Sequence, residues 1–201
     1  MRPPKAGGGA FGLRTSEGIL SSSDIYAMYV ADRVHQVLSN QTERTVCEIG
    51  GGTGTLAYYM TKTCATQVMV ADLPIVSIIQ GYYLMKSVGP ENVQLASEPA
   101  GDHKVRVLPY WELDTLPKKS VSMFVNVDSL PEIDPDIAQH YIGLIKAVGI
   151  NAFLSINQES AANGQNIVHR LVSQAGGFGR AYRCPYWLIN GYVEELYTIT
   201  S

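Results

Sequence analysis

The chain has 201 residues, 46% hydrophobic and 16% charged, which suits one domain with a buried core and excludes a disordered polyelectrolyte. A net charge of −3 gives no support to a nucleic-acid-binding face, and no apolar run approaches the roughly 18 residues of a membrane span. Glycine is in excess, with 19 residues and no G-x-y period, so a collagen is excluded and the question becomes where the glycines sit.

Residues 1–23 read as a loose leader or lid, and 24–201 as a single domain. Gly7, Gly8, Gly9, Gly12 and Gly18 disfavour a helix in the leader, and Ser21, Ser22 and Ser23 form a polar cluster. The start, Met-Arg-Pro-Pro-Lys-Ala-Gly-Gly-Gly, lacks the apolar core of a signal peptide. Ser23 or Asp24 can cap a helix over 25–38, where Ile25, Met28, Tyr29, Val34 and Leu38 give a partial apolar stripe. An alternation follows. Strands are expected at 45–49, 67–71, 104–108, 121–127 and 151–156, and helices at 56–63, 74–88, 136–148 and 164–173. Two β-like runs, 181–189 and 193–199, close the chain. Short apolar strands alternating with helices predict an α/β fold with a mainly parallel, doubly wound sheet. The last two runs are too close for a parallel crossover and should pair antiparallel.

The three cysteines, Cys47, Cys64 and Cys184, are unclustered, with no C-x-x-C and no zinc spacing; reduced thiols in a cytoplasmic protein are expected. His35, His103, His140 and His169 are scattered, so no metal site is expected.

The informative segment is Val46-Cys47-Glu48-Ile49-Gly50-Gly51-Gly52-Thr53-Gly54: an apolar strand, a run of glycines, then a helix. Glycines let the chain turn tightly and approach a ligand without a Cβ in the way. The free N–H groups of the next helix favour polar or anionic ligand groups. Asp72 ends the second strand, 18 positions after Gly54. An acid about 20 residues on is the usual partner of ribose hydroxyls. Two nucleoside readings compete. Gly52-Thr53-Gly54-Thr55-Leu56-Ala57 fits the dinucleotide pattern G-x-G-x-x-A, which would make an NAD(P)-dependent oxidoreductase. Glu48 to Gly54 fits E-x-G-x-G-x-G, the first motif of S-adenosylmethionine methyltransferases. Glu48 favours the second, because a carboxylate repels a pyrophosphate but helps to hold the ammonium of a sulfonium amino acid. A tight turn with no ligand is the plain alternative.

In doubly wound sheets ligands bind outside the carboxyl ends of the strands. After the second strand come Leu73 and Pro74, apolar and suited to an adenine face; after the third come Tyr110 and Trp111, able to stack on a base or simply to pack. After the fourth, Asn126, Asp128 and Glu132 add polar groups. Asp128 could hold the methionine part of the cofactor or a substrate hydroxyl, and Glu132 could accept that hydroxyl's proton. A helix-terminal charge is the plain reading of Glu132. After the fifth, Asn157, Gln158, Glu159 and Ser160 could line an acceptor site or a solvated loop. Paired tyrosines such as Tyr58-Tyr59 and Tyr82-Tyr83 suit a polyhydroxylated ligand, and equally suit ordinary packing.

On these residues the chain resembles the class I S-adenosylmethionine-dependent methyltransferases, and more narrowly the sugar O-methyltransferases. The likeness rests on Glu48 to Gly54, Ala71-Asp72-Leu73-Pro74, Asn126 to Glu132, Ser155-Ile156-Asn157-Gln158-Glu159, and Tyr186 to Tyr197. It implies a Rossmann-like, seven-stranded sheet with helices on both faces and an antiparallel last strand. It implies S-adenosyl-L-methionine as cofactor, a small-molecule acceptor (a sugar), and methyl transfer to a hydroxyl. Carried over by motif, Glu48, Gly50, Gly52 and Gly54 would face the methionine and ribose, Asp72 would hold the ribose hydroxyls, and Leu73, Tyr110 and Asn126 would complete the cofactor site. Glu132, Asp128 and Glu159 are the catalytic candidates. A cofactor-binding module of the same fold without catalysis is the remaining alternative. The resemblance also implies that family members carry more sequence before this region, so that this chain would be a short form or a piece of a longer protein, and part of an acceptor lid could lie outside it.

Overall fold

The computed structural model describes residues 2–4, 11–42, 44–63, 65, 67–99, 101–159 and 165–200. Gly7, Gly8, Gly9, Cys64, Ser160 and Gly164 lie outside the described residues, and with them the expected start of a helix at 164. The described part of the expected leader folds as a short hairpin. β1 (Leu13–Thr15) and β2 (Gly18–Leu20) pair antiparallel, Leu13 opposite Leu20, and Thr15 Oγ1 donates to Gly18 O at 2.8 Å. Glycines that oppose a helix do not oppose a tight turn.

Helix α1 (Ser22–Val37) starts before the expected residue 25, because its cap is Ser21 and neither Ser23 nor Asp24. The Asp24 N–H donates to Ser21 Oγ at 3.2 Å, and the Ser21 N–H donates to Asp24 Oδ2 at 2.8 Å, which satisfies two orphan donors at once. Asp24 is buried, and its Oδ1 also accepts the Tyr59 hydroxyl at 3.1 Å. Burial, and then the Asp24 charge, push the Tyr59 phenol above its ordinary pKa.

The chain separates into two compact units, residues 1–45 with 51–110, and 46–50 with 111–201. In the first unit α1 packs on α2 (Thr55–Thr63), with Val30, Ala31, Val34, Ala57, Tyr59 and Met60 buried. Besides the hairpin, its strands are β4 (Gln67–Asp72), β5 (Val93–Leu95) and β6 (Val105–Pro109), parallel, in the order β5-β6-β4. Helix α3 (Pro74–Val88) leaves β4 with Pro74 in its first turn, where the missing N–H costs nothing.

The second unit holds β3 (Thr45–Ile49) from Val46 on, β7 (Val121–Val127), α4 (Pro135–Val148), β8 (Gly149–Gln158), α5 (Val168–Ala175), β9 (Phe178–Pro185) and β10 (Tyr192–Ile199). Its strand order is β3-β7-β8-β10-β9. β3, β7 and β8 are parallel; β10 is antiparallel to both β8 and β9, so β9 runs with β8 and β10 alone is reversed. The antiparallel pairing of the two closing runs is as expected. Continuous burial along β7, with no alternation, is the mark of a parallel strand covered on both faces.

Among the described residues, leaving the β1–β2 hairpin aside, the strands number eight, three in the first unit and five in the second, and the expectation of seven is corrected. The additional strand is β5, whose Val-Gln-Leu is too short and too mixed to stand out as an apolar run. The final hairpin also shifts: β9 runs from Phe178 to Pro185 and does not extend to 189, because a turn over Trp187 to Gly191 follows Tyr186. Among the described residues no helix is long and apolar enough to cross a membrane.

Candidate functional site

Strand β4 ends on Asp72, and its carboxylate is gripped by three N–H donors. Oδ1 accepts from the Leu73 N–H at 2.7 Å; Oδ2 accepts from the Gly52 N–H at 2.9 Å and from Gln80 Nε2 at 3.3 Å. The glycine loop and the acid expected to answer it are therefore joined directly. Gly52 has φ +54°, a left-handed conformation, and a Cβ added there would meet nothing within 4 Å. The loop closes on itself where the Gly54 N–H donates to Gly51 O at 2.9 Å, and α2 begins with the Tyr58 N–H donating to Gly54 O at 3.0 Å. The parallel register sets Asp72 opposite Pro109, so exposed Leu73 and exposed Tyr110 leave adjacent strand ends. An acid, an apolar residue and an aromatic thus share one end of the first unit's strands.

Gln80 was not singled out in the sequence, where it is one amide on an otherwise apolar helix. It is fully buried, and among the described residues its Oε1 has no hydrogen-bond partner. A buried amide with one unpartnered oxygen is costlier than an apolar side chain of the same size. Its Nε2–Asp72 bond is the compensating use. Gln80→Leu should therefore keep or raise the melting temperature in thermal denaturation. A clear loss of stability would leave Gln80 as packing.

In the second unit Glu48 is buried one residue before the end of β3. Gly50 has φ +73°, and a Cβ there would lie 2.1 Å from Ser129 Oγ. Ser129 is fixed in turn: its Oγ accepts from Asn126 Nδ2 at 2.5 Å and donates to Ile49 O at 3.2 Å. Asn126 is fully buried; its Nδ2 also donates to Ile49 O at 2.9 Å, and its Oδ1 accepts the Leu130 N–H at 3.5 Å. Expected to touch a ligand, Asn126 has its amide engaged in tying the end of β7 to the end of β3. Asp128 is exposed with φ +57°, a conformation that Asp tolerates better than most residues. Glu132 is exposed in a 3-10 turn, Leu130–Glu132, with its N–H bonded to Ser129 O at 3.1 Å.

Glu159 sits differently. Its Oε1 is 2.8 Å from His169 Nδ1, and its Oε2 accepts from Arg183 Nη2. Arg183 also donates to buried Glu195 at 3.0 Å. The Arg183 hydrogen bond, foremost, holds the Glu159 carboxyl below its ordinary pKa. A carboxylate so engaged is a weak proton acceptor. Because the folded pKa lies below the unfolded one, the pair stabilises the fold above the ordinary carboxylate range and loses that effect as pH falls through the folded value. The melting-temperature difference between the parent and Glu159→Gln should shrink as pH falls below about pH 4. A pH-independent difference would remove the ion pair as its cause. Among the described residues no group of three His, Cys, Asp or Glu side chains is placed to share a metal ion.

No family model matches the chain, and no curated protein matches it. Solved structures do. The mitomycin 7-O-methyltransferase MmcR is similar with a TM-score of 0.67 at 16% identity over 90% of this chain, which spans only 55% of that one. The 4+2 cyclase SpnF is similar with a TM-score of 0.64 at 12% identity, over 86% of this chain and 81% of that one. Magnesium protoporphyrin IX methyltransferase (ChlM) from Synechocystis PCC 6803, with bound SAM, is similar with a TM-score of 0.63 at 13% identity, over 90% of this chain and 80% of that one. At such identities the likeness shows the fold alone, an α/β fold shared with all three.

Proposed function

We propose that the protein is an S-adenosylmethionine-dependent methyltransferase acting on a hydroxyl of a sugar or glycosylated small molecule. The observation that carries the reading is Asp72, held by the Gly52 N–H at the head of a left-handed glycine turn. The group fits the residues present. Asp72 supplies acceptors for a ribose diol, the space beside Gly52 is open, and Leu73 and Tyr110 offer apolar and aromatic surface for a base. Glu48 is suited to an ammonium and would oppose a pyrophosphate, which speaks against the dinucleotide reading from Gly52, Gly54 and Ala57. Two of the similar structures are methyltransferases, one of them with bound SAM.

The cofactor, when bound, supplies a methyl group on a positively charged sulfur. The chain's own residues would have to position the acceptor oxygen and receive its proton. Glu132 and Asp128 are proposed for these tasks, being exposed acids on the segment after β7. Glu159 is proposed to orient the acceptor, since its carboxylate is already held by Arg183 and His169. Glu132→Gln should lower turnover at least tenfold while leaving S-adenosylhomocysteine affinity within about twofold, since general bases contribute about 10²–10⁴-fold. Equal loss of both would move Glu132 to a binding role.

Titration calorimetry with S-adenosylhomocysteine, followed by transfer of labelled methyl from S-adenosylmethionine to a panel of sugars and glycosides, tests the whole proposal. Absence of S-adenosylhomocysteine binding overturns it. The similarity to a 4+2 cyclase gives a second reading its footing: the fold also serves a protein named for other chemistry. Tight S-adenosylhomocysteine binding with no transfer to any acceptor would favour that alternative.

A further inference from the structure

Helix α3 presents its side chains the opposite way from an ordinary surface helix. The side turned to the rest of its unit carries Ser77, Gln80, Gly81 and Leu84: the last three are buried, and Ser77 Oγ reaches Leu108 O in β6 at 3.3 Å. The fit there is close, since a Cβ on Gly81 would come within 2.8 Å of Leu95 Cδ2 in β5. The helix cannot roll to bury a different face. The solvent side carries Ile75, Ile78, Ile79 and Tyr82, spaced i, i+3, i+4 and i+7, at 66%, 69%, 51% and 63% exposure, with Leu73 at 56% just before them. Large apolar side chains in one helical stripe, facing out from a helix that turns an amide and two small residues inward, mark a surface made to be covered.

We propose that this stripe is the interface of a homodimer in which α3 of one copy packs against α3 of a second copy. The proposal stands independently of methyl transfer. Its area suits the occupant. The four side chains of the stripe, leaving Leu73 to the ligand end of β4, expose on the order of 450 Å² of mostly apolar surface, over half of the ~800 Å² each partner gives to a standard stable interface, so a polar rim completes it. Its charge suits the occupant too. Over fifteen residues α3 carries one charge, Lys86, whose ammonium lies 5.9 Å from the Tyr82 ring centroid, so two copies meet without like-charge repulsion across the stripe. A helix-period stripe is its own complement when two helices cross about a two-fold axis, ridges entering grooves. A lipid surface would call for a rim rich in Lys and Arg, and neither α3 nor a chain of net charge −3 supplies one.

Sedimentation equilibrium of the full chain at micromolar concentrations should give twice the chain mass. Ile78→Asp should weaken association at least tenfold and give the monomer mass, with an unchanged circular dichroism spectrum, because the substituted side chain is exposed. Ile137→Asp, on exposed α4 surface, should remain dimeric. A parent that is monomeric throughout the range overturns the proposal, as does a dimer that Ile78→Asp leaves intact. A monomeric parent that floats with anionic vesicles overturns it in favour of a membrane surface.

Discussion

Asp72→Ala should weaken S-adenosylhomocysteine binding by at least 100-fold, the largest effect on ligand affinity of any single side chain proposed for the site. Two losses combine. A carboxylate hydrogen bond to a ribose hydroxyl contributes roughly 1.5–3 kcal/mol, and a diol makes two. The same carboxylate also accepts the Gly52 N–H at 2.9 Å, so its removal frees the turn that shapes the ligand approach. Even one such bond lost at about 2.7 kcal/mol gives the 100-fold figure. Asp72→Asn keeps one oxygen for the Gly52 N–H but not two acceptors for a diol, and should fall between the parent and Asp72→Ala. Calorimetry decides the matter: equal affinity for all three proteins would end the nucleoside reading of Asp72.

Gly50→Ala should destabilise the fold by about 3 kcal/mol, lowering the melting temperature by roughly 10 °C for a chain of this size. A left-handed φ of +73° costs an alanine about 1–2 kcal/mol. The added Cβ would also lie 2.1 Å from Ser129 Oγ, which cannot swing away without releasing Asn126 Nδ2 and Ile49 O. Removing the obstacle separates the two causes. In a Ser129→Gly background, Gly50→Ala should cost only the backbone part, about half of the whole. No such recovery would show that the overlap is not what matters.

The fold class was legible because its signals are local. Apolar runs of five to seven residues, most of them followed by a helix, mark parallel strands without reference to anything distant. The closeness of the last two runs dictates their antiparallel pairing, and β9 with β10 has it. β5 was not legible, since three residues of mixed polarity carry no period. The start of α1 was misplaced because Ser21, Ser22 and Ser23 are equivalent as letters. Only the reach of Asp24 back to the Ser21 N–H distinguishes them.

The candidate site divides in the same way. Glycines and an acid at set spacing are written in the chain, because backbone freedom and strand ends are properties of single residues, and the Gly52–Asp72 hydrogen bond joins the two. The tasks of the other polar residues are not written there. Asn126 and Glu132 read alike as polar groups after a strand, yet one is fully buried with its amide tied to β3 and the other is exposed. Glu159 reads as another acid, until Arg183, 24 residues on, is found holding its carboxylate.

The sequence by itself determined the α/β class and the glycine turn with its answering acid, since strand and turn formation depend on neighbours along the chain. Only the tertiary structure decided which polar groups are bound internally, that Gln80 supports Asp72, and that α3 turns its isoleucines outward. Those outcomes depend on which side of an element meets the rest of its unit, and that is set by packing between residues far apart in the chain.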